Sequence, residues 1–253
     1  MDKRINLAPG ALTAPLPPAL VTVGDMECSN VLTVAWTGIL ATVPPRTYIS
    51  VRPSRHSYGI LKEKGEFVIN LPSADMARMV DFAGIYTGKK VDKFEKCGFT
   101  KAESERVSAP TIAECPLAIE CKVFEVIPMG SHDVFMADIV SVSCKEEIMN
   151  KYGRLMLDRA GLLAYAHGEY FSLGEKLGKF GFSTDKENKK KTAGEKKEPI
   201  NKALGSQNGK PEGEKKEPFY KAFEGGRKKK QGGAKDKGRP HGKRIKAKGE
   251  KER

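Results

Sequence analysis

Leu117-Ala118-Ile119-Glu120-Cys121-Lys122-Val123-Phe124-Glu125-Val126-Ile127, then Gly130-Ser131-His132-Asp133, then a second apolar run to Ser143, reads as a β-hairpin. From Ile119 to Val123 the odd positions are apolar and the even ones polar, the period-2 pattern of a half-buried strand, which sends Glu120 and Lys122 toward solvent. Upstream, Ala19–Gly24, Asn30–Ala35, Thr47–Arg52 and Glu66–Leu71 are further short runs rich in Val, Ile, Thr and Phe, bounded by Gly, Pro or Asn. Helical signals are fewer. Ser54 is placed to cap a helix over His56–Lys64 that Gly65 ends, and Met76, Met79, Val80 and Ala83 fall at helical spacing after a capping Ser73. Many evenly spaced strands with a few short helices predict a mainly β protein, a small antiparallel barrel rather than an α/β sheet.

Composition divides the 253-residue chain. Residues 184–253 hold 24 Lys and Arg against 11 Asp and Glu, the whole of the net charge of +13, so residues 1–183 are formally neutral. The two segments are expected to be one folded domain, 1–183, whose first 18 residues wrap it without regular structure, and a disordered basic low-complexity tail, 184–253. The tail has almost no aliphatic residues with which to offset an ordering entropy of ~1–2 kcal/mol per residue. Within it Gly194-Glu195-Lys196-Lys197-Glu198-Pro199 recurs as Gly213-Glu214-Lys215-Lys216-Glu217-Pro218. Its clusters Arg227-Lys228-Lys229-Lys230 and Lys243-Arg244-Ile245-Lys246 suit weak, salt-sensitive binding of an anionic partner, nucleic acid or membrane surface. Five cysteines with no C-x-x-C pair argue against a disulfide framework or a zinc site, so no metal is expected. The Pro-rich start has no apolar core of a signal peptide, and Val31 to Val43 is short of the ~20 residues a bilayer needs, so a cytoplasmic protein is expected.

Hydrolase, P-loop, zincin and dinucleotide fingerprints are missing from the sequence. What stands out is an ordered series. It runs Ser29-Asn30-Val31-Leu32-Thr33-Val34-Ala35-Trp36-Thr37-Gly38; Pro44-Pro45; Tyr48-Ile49-Ser50-Val51-Arg52-Pro53; His56-Ser57; and Glu66-Phe67-Val68-Ile69-Asn70. It continues with Gly88-Lys89-Lys90-Val91-Asp92-Lys93-Phe94, Gly130-Ser131-His132-Asp133-Val134-Phe135 and Gly168-Glu169-Tyr170-Phe171-Ser172-Leu173-Gly174. This series resembles the flavin reductase-like (flavoredoxin) family, one departure being Ala137 where the family often has Gly. The resemblance implies an FMN-binding split β-barrel, a homodimer, and an oxidoreductase whose flavin is reduced by NADH or NADPH. Electrons would then pass to free flavin, ferric iron, a partner protein or a small oxidised compound. The other reading is an FMN-binding electron carrier or sensor whose basic tail engages the anionic partner.

The residue chemistry is compatible with that. Arg52 at a strand end, with Ser54, His56 and Ser57 at a helix start, offers donors for a phosphate; alternatively Arg52 is an exposed strand-end cation, Ser54 only a cap and His56 a surface residue. The resemblance puts the flavin ring's polar edge at Asn30, Thr33, Val34, Ala35 and neighbouring backbone, with Ser50 on the next motif. It also puts Lys89 or Lys90 near flavin or phosphate, although both read equally well as solvated charge. Trp36 suits a ring wall or the core, with core packing favoured. His132 is the candidate catalytic-site residue, a wall for nicotinamide or substrate, or else a structural histidine; Tyr170 reads as a barrel or dimer contact.

Overall fold

The computed structural model describes residues 4–184. The tail expected at 184–253 lies, but for Thr184, outside the described residues. Five strands lead into and out of the first helix: β1 (Ala19–Gly24), β2 (Ser29–Val34), β3 (Thr37–Thr42), β4 (Pro45–Val51) and β5 (Glu66–Leu71), with α1 (His56–Lys64) between the last two. Next come α2 (Ala77–Ile85), α3 (Lys93–Cys97) and the short pair β6 (Lys101–Ala102) and β7 (Thr111–Ile112). The long hairpin β8 (Leu117–Pro128) and β9 (Asp133–Cys144) follows, then a second hairpin, β10 (Leu163–Ala166) and β11 (Glu169–Ser172).

The main sheet is antiparallel throughout and runs β2-β1-β5-β8-β9-β4-β3. Both of its edges are therefore early strands, and the chain crosses from one edge, β2, to the other, β3, through Ala35 and Trp36 alone. The sheet curls to allow this, helped by register shifts in the β8–β9 pair at Glu120/Cys121 and Val123/Glu125. β1 is buried on both faces. Ala19, Val21 and Val23 point into the curl with Val51, Phe67 and Phe135, while Leu20 points out against Val31, Met76, Val80 and Phe94 beneath α2 and α3.

Most expected elements fall within two residues of their observed bounds; the differences are local. Ser54 does not cap α1, whose N-cap is Arg55 without a side-chain bond, and Ser73 likewise makes no capping bond to the turn leading into α2. Gly65 does end α1, in the left-handed region at φ 65°, where its N–H reaches Leu61 O. Glu120, expected at the surface, is 2% exposed. It keeps its place on the face opposite Ile119 and Cys121, but the loop carrying Glu105 to Ala109 covers that face, and the Glu120 carboxylate accepts the Glu105 and Arg106 N–H groups at 3.0 and 2.6 Å. Residues 4–18 form no helix or strand, and Leu16 bridges to Tyr165 of β10. No helix among the described residues is long and apolar enough to cross a membrane.

Candidate functional site

Two adjoining cavities of about 240 and 220 Å³ lie where the sheet edges meet, and they share Leu32, Thr33, Arg52, Arg55 and Gly84. Together they make one trough along β2, with α1 and the end of α2 at one end and the tip of the β8–β9 hairpin at the other.

The first cavity has a backbone floor and an aromatic rim. Its floor is Leu32 to Trp36 and Ser50 to Arg52; its rim is Trp36, His132, Tyr165 and Tyr170. β2 pairs only with β1, so the outward N–H and C=O groups of this edge strand have no strand partner. Trp36, for which the core was favoured, is 41% exposed and stands as a wall, because it sits in the crossing between edge strands and not on a strand face. Its ring meets His132 edge-on, 4.6 Å between centroids at 81°. Tyr170, expected as a barrel or dimer contact, donates to Asp81 Oδ1 at 3.3 Å; burial first, then Asp81, pushes its phenol up to about 12.

Arg52 Nε donates to His132 Nε2 at 3.3 Å. The accepting Nε2 must be unprotonated, which leaves the ring proton on Nδ1, 2.9 Å from Ser131 Oγ. Burial, and then the Arg52 and Arg55 charges, hold the His132 imidazole below its ordinary pKa and keep it neutral.

The second cavity is made of donors. Asn30, Ser54, His56, Ser57, Thr87 and Gly88 line it beside Arg52, Arg55 and Lys93, and neither cavity is lined by a carboxylate. Asn30 Nδ2 donates to Ser57 Oγ at 2.6 Å, fixing β2 to the first turn of α1. Gly88 lies so close that a Cβ there would sit 2.4 Å from Asn30 Oδ1 and 2.7 Å from His56 Cδ2, which only glycine avoids. Arg55 Nη1 donates to Gly84 O at 3.1 Å.

Lys93 is the cation that the sequence reading passed over. Asp92 caps α3 by accepting the Phe94 and Glu95 N–H groups, and this cap turns Lys93 under α2, 4% exposed. Its Nζ donates to Val31 O and Ala83 O, both at 2.7 Å, leaving one N–H for the cavity it lines. Burial, and secondarily Arg55, lowers its pKa to about 8. Lys89 and Lys90, the lysines expected near the ligand, are exposed and line neither cavity. The other expected residues (Asn30, Thr33, Val34, Ala35, Trp36, Ser50, Arg52, Ser54, His56, Ser57 and His132) all line the trough. Arg55, Gly84, Gly88, Lys93 and Tyr165 were not expected there. No group of His, Cys, Asp and Glu among the described residues is arranged to hold a metal ion.

Residues 12–174 match the model of the flavin reductase like domain. The chain belongs to the flavin reductase-like family. Its split-barrel fold is that of flavoredoxin from Desulfovibrio vulgaris (Miyazaki F), with TM-score 0.68 and 31% identity, covering 72% of this chain and 100% of that one. It is also similar to an FMN-binding protein from Thermus thermophilus with bound 1-cyclohex-2-enone (TM-score 0.59, 25% identity, 71% and 98% covered). Among sequences, an uncharacterised protein of Archaeoglobus fulgidus is 34% identical over 121 residues, 48% of this chain and 68% of that protein. The NADPH-flavin oxidoreductase of Streptomyces viridifaciens is 25% identical over 133 residues, 51% and 68% of the two chains. Membership in the flavin reductase-like family assigns the chain to flavin-linked oxidoreductase chemistry.

Proposed function

We propose that the trough binds FMN and that the chain is an FMN-dependent oxidoreductase reduced by NADH or NADPH. The observation that carries this is the division of the trough into a carboxylate-free pocket of cations and hydroxyls and an aromatic-rimmed floor of edge-strand backbone. A phosphate dianion fits the first part: Lys93 and Arg55 supply charge, and Ser54, Ser57 and the N-terminus of α1 supply donors. A flat ring with an edge of alternating donors and acceptors fits the second. Backbone groups of β2 that have no strand partner would meet its edge, and Trp36, His132 and the two tyrosines would exclude water around it.

FMN, when bound, would supply the redox chemistry, accepting hydride from a nicotinamide and giving electrons to an acceptor. This chain's own residues bind, orient and shield. Arg52, common to both cavities, places positive charge between the phosphate end and the ring end. His132 is kept neutral and so serves as an uncharged wall for nicotinamide or substrate, with no charge competing against Arg52. A nucleotide domain being absent from the described fold, the nicotinamide would stack directly on the ring through the open side of the trough. The name of the Streptomyces viridifaciens relative favours such a donor. A cytoplasmic homodimer completes the reading; the exposed Ile39, Leu40 and Val43 on and beside edge strand β3 suit self-association.

The test is anaerobic titration of the FMN-loaded full chain with NADH and with NADPH, following the visible flavin absorbance. Bleaching by either identifies the donor. A yellow protein that neither bleaches makes the chain an electron carrier, and a chain that takes up no FMN sinks the proposal.

A further inference from the structure

Tyr58 lines neither cavity, yet it ties the two ends of the trough together. It lies in the first turn of α1, half-buried, with its ring packed edge-on against Phe135 at 5.6 Å and 77°. Its Oη donates to Asp133 Oδ2 at 2.5 Å. Asp133 opens β9: it follows His132 in sequence and pairs with Val51 on one side and Pro128 on the other. The stretch from Val51 to Tyr58 is thus closed on one residue, by strand pairing at Val51 and by the phenol at Tyr58. Inside that closure lie Arg52, Ser54, Arg55, His56 and Ser57, which are all of the trough's donors from this part of the chain.

Beyond the strand pairing at Asp133 and the Trp36 ring against His132, the tip of the β8–β9 hairpin is steadied across its own turn. Met129 N donates to His132 O at 2.8 Å across the turn, Gly130 takes φ 80°, and Met129 is exposed. The position of His132 decides where Arg52 points, because Arg52 Nε is held on His132 Nε2. A long arginine stem costs entropy to order, so a guanidinium already held in place binds an anion better than a free one.

We propose that Tyr58 is a positioning residue for the flavin site: its bond to Asp133 fixes the hairpin tip against α1, and His132 in turn presets the Arg52 guanidinium. The role toward flavin rests on the FMN reading above; the role toward His132 does not.

The experiment uses the full chain and the variants Tyr58→Phe, Asp133→Asn and Asp133→Ala, with two readouts. The first needs no ligand. Trp36 is the only tryptophan of the chain, and the edge of its ring contact is His132, so protonation of that imidazole, a quencher of indole, is read as a fall in Trp36 fluorescence. In the parent chain the midpoint falls below 6.5, as burial and Arg52 and Arg55 dictate. In Tyr58→Phe it moves up toward 6.5, and the Asp133→Ala midpoint lies above that of Asp133→Asn, since both lose the carboxylate charge and only the amide still accepts from Tyr58. The second readout is FMN affinity, expected to fall about tenfold in Tyr58→Phe and Asp133→Ala and to stay within about threefold in Asp133→Asn. Lowered melting temperature with unchanged midpoint and unchanged FMN affinity would make Tyr58 a structural residue only and overturn the proposal. Asp133→Ala breaks the same bond from the other side, so a misfolded Tyr58→Phe does not end the test. If the parent chain binds no FMN, the functional reading fails, and the Trp36 titration still decides whether Tyr58 positions His132.

Discussion

Raising the pH from 7 to 9.5 should weaken FMN while it strengthens the empty protein, with Lys93 as the source of both effects. The ordinary lysine pKa is 10.5, and burial lowers that of Lys93 to about 8 in the folded chain. Below pH 8 the ammonium is charged in a place that disfavours charge, which costs the fold up to about 3 kcal/mol at 1.36 kcal/mol per unit. Between pH 8 and 10.5 the unfolded chain keeps a proton that the folded chain has released. Unfolding then takes up a proton, and this residue's contribution makes the fold more stable as pH rises. A phosphate dianion beside Lys93 reverses the preference and restores the ammonium. FMN binding above pH 8 therefore carries proton uptake, and its affinity falls by up to about tenfold per pH unit. Riboflavin, which lacks the phosphate, should show neither effect. The assay is calorimetric titration of both ligands at several pH values in buffers of different ionisation enthalpy, which counts the protons directly. Lys93→Met should flatten the FMN profile and cost about 10- to 150-fold in FMN affinity at neutral pH, the worth of ~1.5–3 kcal/mol for a charged hydrogen bond. FMN affinity that stays level from pH 7 to 9.5, or riboflavin falling in parallel, would refute the reasoning.

Three further outcomes are expected. Gly88→Ala places a Cβ 2.4 Å from Asn30 Oδ1 and should lower FMN affinity about tenfold or more, measured by flavin fluorescence, with the riboflavin loss smaller. Arg52→Ala should cost FMN about 10- to 150-fold by the same titration and should also cost riboflavin, since Arg52 borders both cavities; an unchanged riboflavin affinity would confine Arg52 to the phosphate. A chain ended at Ser183 should keep its FMN affinity and lose the salt-steep, sequence-blind binding of polyanions expected of the full chain. Equal polyanion binding by the two would dismiss the tail as its source.

The strands were legible where β-branched and aromatic residues sit between turn residues, as in Ala19–Gly24 and Glu66–Leu71. β3 was not legible, because Gly38-Ile39-Leu40-Ala41 has no period of 2; it is an edge strand whose apolar residues face solvent. The β10–β11 hairpin carried a usable signal in His167-Gly168, which takes φ 46° and 92° and matches the X-Gly turns of two-residue hairpins. At the site, the donors at the start of α1 could be read from a strand-end arginine followed by a helix start, whereas Asn30 and Thr33 on β2 came from the family resemblance. Lys93 could not be told from Lys89 and Lys90 by charge. The difference comes from the Asp92 cap and the packing of α2, and Asp-Lys-Phe after a loop is its only trace in the sequence. Glu120 was misread because a strand's period assigns a residue its face and not what covers it: the loop carrying Glu105 to Ala109 closes over the face that Glu120 shares with Val68 and Ala118.

The two-residue crossing at Ala35 and Trp36 makes the sheet an open clasp whose jaws, β2 and β3, are the same stretch of chain folded back. A ligand in the trough spans the gap between them, touching β2 on one side and, through Ser50 and Arg52, the β4 side on the other. Occupancy is therefore coupled to the mechanics of the whole barrel: the ligand supplies a cross-brace that the covalent chain provides at only one point. Amide exchange on β2 and on the β3–β4 pair should slow together when the trough is filled, as one cooperative unit, although the two lie at opposite ends of the hydrogen-bonded strand order.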